Sequence, residues 1–163
     1  MTEFFAQWGG LSLALFGAGI AVVLGGLGSA YGVSTAGQAG AGVTTEHPEK
    51  FGKVLVLEAL PGTQGIYGFL IGFLVLLFTG ILGGEAKDLT MAQGWQIFFA
   101  CLPAGFTCLV SGIQQGKVSA AGMNMVAKDA AQAGKAMVLS AMVETYAVLG
   151  FLISALLIFF IKL

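Results

Sequence analysis

Long apolar runs separated by short polar segments dominate the chain. Charge-free stretches extend from Phe4 to Thr45, from Ala59 to Gly84 and from Leu89 to Gly116, and two more flank Glu144. A helix of about 20 apolar residues crosses the roughly 30 Å hydrocarbon layer of a bilayer. The alternation typical of a membrane barrel is absent. The pattern therefore predicts an all-α membrane protein with four transmembrane helices, near residues 9–35, 53–83, 93–122 and 135–161.

The two halves of the chain resemble each other. Val33-Ser34-x-Ala36-Gly37 recurs as Val118-Ser119-x-Ala121-Gly122, and Gly68-Phe69-Leu70-Ile71 recurs as Gly150-Phe151-Leu152-Ile153. Each half carries two helices, so the copies have the same orientation in the membrane. This predicts two tandem, parallel-repeated αα-hairpins, residues 1–84 and 85–163.

Small residues recur every three or four positions along the first predicted helix, and more loosely along the third. Such faces let membrane helices approach closely. They fit packing inside one four-helix bundle, but their length favours an inner ring of many identical helices, with helices 2 and 4 facing outward. In the first helix they are Gly10, Ala14, Gly17, Ala21, Gly25, Gly28, Gly32, Ala36 and Gly40.

Composition strengthens the membrane prediction. Of the 163 residues, 57% are hydrophobic and only 9% are charged, far below the roughly one quarter typical of soluble domains. The formal charge is −1 and no basic run occurs, so nucleic acid is excluded as a partner. Cys101 and Cys108 are seven residues apart on one predicted helix, too far for a disulfide, and are interpreted as packing residues.

The lysines predict the orientation of the chain. Five of the seven fall at the connections between helices 1 and 2 and between helices 3 and 4, which places these loops in the cytoplasm and both termini outside. Trp8 and Trp95 each open an odd-numbered helix at the outer interface, as expected for amphipathic rings.

Glu144 is the acid placed deep in a predicted span. An ionised carboxylate costs about 2.5–3.5 kcal/mol at a helix centre, so a proton, a metal ion or a counter-charge must neutralise it. An inert helix–helix hydrogen bond is the structural alternative. Glu58 is close enough to Lys53 to reach the interface and is interpreted as solvated, and His47 lies in a polar loop and receives no role.

Further polar groups are expected at the depth of Glu144. Counting 1.5 Å per residue from the outer end of each helix places Gln64, Gln115 and Glu144 at about 27–31 Å. Pro61-Gly62 loosens the helix beside Gln64, and Tyr67 shares a face with Gln64. A carboxylate, a hydroxyl, two amide oxygens and a freed carbonyl suit a small hard cation and favour Na+ over H+.

Three alternatives remain open at this point: a proton-carrying site built from the same residue types, a small secondary cation antiporter, and a purely structural pore ring. The glycine face and the parallel repeat argue against the antiporter. No phosphate loop, His/Cys metal cluster or nucleophile–base set is present, so the chain is not expected to be an enzyme by itself.

Three motifs on two fused hairpins resemble the sodium-type K subunit of bacterial V-type ATPases, the membrane rotor ring or proteolipid. They are Pro61-Gly62-Thr63-Gln64-Gly65, Gln115-Gly116-Lys117 and Val143-Glu144-Thr145-Tyr146. The resemblance implies that one Na+ per subunit is held by Thr63, Gln64, Gln115, Glu144 and the carbonyl of Leu60, with Tyr67 bonding the glutamate. Glu58 and Gln114 depart from the family pattern without falling on a matched ligand.

The resemblance also implies the partners. Identical subunits would form a closed ring, and a soluble ATPase head would couple to it through a central stalk and the cytoplasmic loops. A positive group must pass the emptied Glu144, and the chain contains no arginine. A stator membrane subunit is therefore expected to supply one. The implied location is the bacterial plasma membrane, with no organic cofactor.

Overall fold

The computed structural model describes residues 2–163, with side chains from Gly9 onward. Within that part of the chain all regular elements are helical, and four of the helical segments are long and apolar enough to cross a membrane: Gly9–Glu46, Pro48–Phe78, Met91–Lys128 and Ala130–Phe160. The predicted all-α class is confirmed. The α-helices are α1 (Thr2–Glu46), α2 (Phe51–Ala59), α3 (Thr63–Phe78), α4 (Met91–Lys128) and α5 (Ala133–Phe160).

Two of the predicted helices were too short. α1 continues to Glu46 instead of ending near 35, and α4 continues to Lys128 instead of 122. The extra residues of α1 include no proline before Pro48, so nothing in the backbone stops the helix where the apolar run ends. α4 ends at Lys128, and the carboxylate of the next residue, Asp129, accepts the N–H of Ala131 at 2.9 Å and begins the following segment.

The second span was predicted to continue to residue 83 but ends at Phe78. Gly80 follows with φ +81°, the left-handed conformation that commonly ends a helix. A short 3-10 turn, Ile81–Gly83, and an extended segment then lead to α4.

α1 and α4 form the closest helix pair, and they run parallel. A Cβ added at Gly94 would collide with the backbone of Gly10, and one at Gly112 would lie 2.5 Å from the carbonyl carbon of Gly28. Successive contacts therefore advance in the same direction along both helices, as the repeated hairpin requires. The predicted small faces pack against each other within one subunit.

The spans containing α3 and α5 flank this central pair. Small residues of α1 and α4 fill the core together with Ile71, Ile97 and Ile158. Cys101 and Cys108 are free and buried. Large apolar side chains such as Phe16, Phe69 and Phe160 are exposed, as expected for surfaces that meet lipid or another membrane subunit. Trp95 is 44% exposed, whereas the side chain of Trp8 lies outside the described residues.

Two lysines join the hairpin tips. The ammonium of Lys50 donates to the carbonyl of Ala127 at 2.6 Å, and that of Lys53 donates to the carbonyl of Ala130 at 3.0 Å. The final carbonyls of a helix have no intrahelical partner and carry the negative end of its dipole. Lys50 therefore caps the end of the third span, Lys53 contacts the first residue of the fourth, and together they hold the two tips at one end of the molecule.

Lys50→Met is expected to lower the stability of the folded subunit by about 1–2 kcal/mol, because methionine keeps the packing of the stem but loses the charged hydrogen bond. Thermal unfolding in detergent measures the loss. The matched control is Lys128→Met, since Lys128 is exposed in the last turn of α4. Equal melting temperatures for the two variants would show that the cap contributes nothing.

Candidate functional site

Three spans bring their polar side chains together halfway along the helix bundle. Gln64 on α3 donates through Nε2 to Oε1 of Gln115 on α4, at 2.5 Å. Gln115 donates through its own Nε2 to Oε2 of Glu144 on α5, at 3.3 Å. Both glutamines are fully buried. The three residues predicted to share one depth therefore form a continuous hydrogen-bonded chain.

Tyr67 completes the surroundings of the carboxylate. Its hydroxyl donates to Oε1 of Glu144 at 2.6 Å, the bond that the family resemblance implied. The ring of Tyr67 packs against Phe151, with centroids 5.5 Å apart. Glu144 thus accepts one hydrogen bond on each oxygen, from two different helices.

The Pro61-Gly62 pair interrupts the second span as predicted. A 3-10 turn over Leu60–Gly62 separates α2 from α3. Directly after it, Thr63 donates from Oγ1 to the carbonyl of Leu60 at 3.1 Å. Thr63 also neighbours the hydroxyl of Tyr67. The turn therefore places a backbone carbonyl and a hydroxyl at the edge of the Gln64–Gln115–Glu144 chain.

One oxygen of the cluster has no partner. Oε1 of Gln64 is buried and accepts no hydrogen bond. An amide oxygen left without a partner in a buried place costs about 1–3 kcal/mol, unless a ligand supplies the missing contact. Because Gln64 is linked through Gln115 to the half-buried carboxylate of Glu144, the missing ligand is expected to be a cation or a hydrogen-bond donor.

Sequence reasoning missed two serines at the site. Ser111 accepts Nε2 of Gln64 at 3.2 Å and donates to the carbonyl of Val143 at 3.0 Å. Ser29 on α1 accepts the N–H of Gly65 at 2.7 Å. The only sequence signal for Ser111 was its position one helical turn before Gln115.

The remaining polar candidates lie away from the cluster. Glu58 is partly exposed, and a Cβ added at Gly37 would lie 2.7 Å from its carboxylate. His47 is 39% exposed in its loop, 3.5 Å from the carboxylate of Glu49. Gln114 is exposed on α4. None of them hydrogen-bonds to a residue of the cluster.

Comparison with known proteins identifies the family. The sequence model of the ATP synthase C subunit matches the chain twice, over residues 16–75 and 98–157. The chain belongs to the ATP synthase C-subunit family. Each match contains most of one predicted hairpin, so the family assignment and the helix contacts agree on a duplicated hairpin.

Three relatives within or near this family differ in how much of their length is shared. The chain is 47% identical to the V-type sodium ATPase subunit K of Enterococcus hirae, over 97% of each chain. It is 44% identical to the A-type ATP synthase subunit K of Methanocaldococcus jannaschii, over 91% of this chain and 62% of that one. It is 34% identical to the c' subunit of the V-type proton ATPase of Saccharomyces cerevisiae, over 66% of this chain and 63% of that one.

Membership of the C-subunit family argues against two of the alternative functions. The relatives are named as subunits of ATPases or of an ATP synthase, and the four apolar spans make this chain an integral membrane protein. The predicted resemblance to V-type K subunits is confirmed. Neither the secondary antiporter nor the purely structural pore ring fits this family.

Proposed function

We propose that the chain is the ion-carrying rotor-ring subunit of a V-type ATPase and that the ion is Na+. The observation that carries the choice of ion is the buried, unpartnered Oε1 of Gln64, on a side chain that Gln115 links by hydrogen bonds to the carboxylate of Glu144. The relative named a V-type sodium ATPase subunit K, which aligns along nearly the whole chain, supports the same ion.

The oxygen chemistry of the site favours a monovalent hard cation. The proposed ligands are Glu144, the amide oxygens of Gln64 and Gln115, Oγ1 of Thr63 and the carbonyl of Leu60. Only Glu144 carries charge, and among the described residues no three His, Cys, Asp or Glu side chains come together. One carboxylate balances one positive charge, whereas protein sites for Ca2+ generally gather several carboxylates.

The donors around Glu144 argue against a proton as the ion. Tyr67 and Gln115 each direct a hydrogen at one carboxylate oxygen. A protonated carboxyl has to donate a hydrogen bond of its own. The NH2 of Gln115 cannot accept one, and the hydroxyl of Tyr67 could accept one only by turning its own hydrogen away from Glu144. Tyr67 is proposed to orient the carboxylate and not to bind the ion.

A rotary cycle follows from the placement of Glu144. A cavity of about 340 Å³, lined by Ala141, Glu144, Thr145, Val148 and Leu149, opens on the exposed face of α5. An ion can therefore leave sideways when the site reaches a partner subunit, instead of passing along the helix core. Release of the ion leaves the carboxylate of Glu144 ionised within the membrane, which is energetically unfavourable. An arginine of a stator subunit is proposed to offset this charge.

The ring is proposed to close through head-to-tail contacts between identical subunits, with the spans of α1 and α4 on the inside and those of α3 and α5 outside. The loops after α1 and α4 would face the cytoplasm and a central stalk joined to the soluble ATPase head, and both termini would lie outside a bacterial plasma membrane. Each subunit is non-catalytic and consists of hairpins 1–84 and 85–163.

Labelling with a hydrophobic carbodiimide, which modifies protonated carboxyls in lipid, tests the ion directly. The expected result is that labelling of Glu144, located by mass spectrometry, falls steeply with Na+ at fixed pH, while K+ at equal ionic strength does not protect. Bound Na+ would keep the carboxylate ionised and unreactive. Labelling that follows pH alone would contradict the Na+ assignment and favour a proton rotor.

A further inference from the structure

Ser111 is connected to the ion site without being one of its proposed ligands. It lies on α4, one turn before Gln115, and is 3% exposed. Its hydroxyl donates to the carbonyl of Val143 on α5 at 3.0 Å and accepts Nε2 of Gln64 at 3.2 Å. This one oxygen therefore links the backbone of α5 to the amide of Gln64 on α3.

The direction of these bonds fixes the orientation of Gln64. A serine hydroxyl has a single hydrogen, and that of Ser111 is committed to the carbonyl of Val143. Ser111 can offer Gln64 only a lone pair, so the amide must present Nε2 to Ser111. The opposite atom, Oε1, is thereby turned to the side on which it has no protein partner.

The same constraint extends to the next residue. Nε2 of Gln64 also donates to Oε1 of Gln115, which leaves Nε2 of Gln115 to donate to Glu144. If Gln64 were turned over, two amide oxygens would face each other and an NH2 group would face the cation. The order of donors and acceptors along the whole chain thus begins at the hydroxyl of Ser111.

We propose that Ser111 is a positioning residue of the cation site, which sets the amide of Gln64 so that its oxygen faces the ion. The inference rests on the proposed Na+ function and adds a residue that acts through Gln64. In this proposal the ion is the missing partner of Oε1 of Gln64. The hydroxyl of Ser111, on another helix, holds the amide in the orientation that allows this contact.

Removal of the hydroxyl gives the first test. In Ser111→Ala the amide of Gln64 loses the hydrogen-bond acceptor that sets its orientation. The Na+ concentration that half-protects Glu144 from carbodiimide is therefore expected to rise about tenfold. The measurement uses intact rings at one pH and constant ionic strength. Ser119→Ala is the matched control, because Ser119 is equally buried on α4 and bonds only Ser140. It is expected to change the value less than about twofold.

Ser111→Thr tests the hydroxyl itself. A cavity of about 540 Å³ adjoins Ser111, lined also by Thr107 and Gln114, and offers room for the added methyl group. Half-protection close to that of the unsubstituted ring is expected. Ser111→Cys keeps the size but donates weakly, and is expected to fall between Thr and Ala. These two variants test the proposal even if Ser111→Ala gives no intact rings.

A double-mutant cycle separates positioning from general packing. If Ser111 acts through Gln64, adding Ser111→Ala to a Gln64→Leu ring weakens Na+ protection no further. A purely structural serine would add its full loss in both backgrounds. Additive losses, or a Ser111→Ala ring that binds Na+ normally, would overturn the positioning role. If Na+ does not protect even the unsubstituted ring, the proposed Na+ function itself fails.

Discussion

Glu144→Gln is expected to abolish Na+ transport by the ATPase assembled with its partner subunits, to below about 1% of the unsubstituted rate. Glutamine has the shape of glutamate but no charge, so nothing at the site balances the desolvated ion. Its NH2 group would also face a group that now donates to the carboxylate, either the NH2 of Gln115 or the hydroxyl of Tyr67. ATP-driven 22Na+ uptake into inverted membrane vesicles measures the loss.

The second carboxylate on a span supplies the matched control. Glu58 is partly exposed and has no hydrogen bond to the Gln64–Gln115–Glu144 chain, so Glu58→Gln is expected to retain most of the transport. Rings of both variants should assemble to the size of the unsubstituted ring. If transport survives in Glu144→Gln, or disappears in Glu58→Gln alone, then Glu144 is not the carboxylate that carries the ion.

The depth of the site could be predicted because a helix rises by a constant amount per residue. Counting along three separate helices placed Gln64, Gln115 and Glu144 at one level, and the structure joins them by hydrogen bonds. The shared face of Gln64 and Tyr67 followed from helical periodicity. These features depend only on the spacing of residues along a regular helix, which can be counted from the sequence.

The features that were missed depend on tertiary contacts or on helix ends outside the membrane. The bond from Ser111 to the carbonyl of Val143 requires the relative rotation of α4 and α5, and a serine on a helix of small residues gives no hint of it. Likewise, the end of an apolar run indicates where the hydrocarbon layer ends. α1 continues for a further stretch to Glu46, because its backbone needs no lipid to remain helical.

Gly116→Ala is expected to have the largest effect on folding of any single methyl group added to this site. A Cβ at Gly116 would lie 2.7 Å from the carbonyl carbon of Gly32, and closer still to other backbone atoms of that residue. Backbone cannot rotate away as a side chain can, so α1 and α4 must separate. We expect a loss of about 3 kcal/mol or more per subunit, at the upper end of overpacking costs.

The position of Gly116 makes this a functional prediction as well. It follows Gln115 directly, so a displaced α4 would carry a proposed ligand away from Glu144 and weaken Na+ protection together with stability. Gly42→Ala is the matched control, because a Cβ at Gly42 on α1 meets nothing within 4 Å. Alanine there gains about 0.5–1 kcal/mol of helix propensity. Thermal unfolding of detergent-purified rings measures both, and equal melting temperatures would mean that the α1–α4 contact is looser than the structure describes.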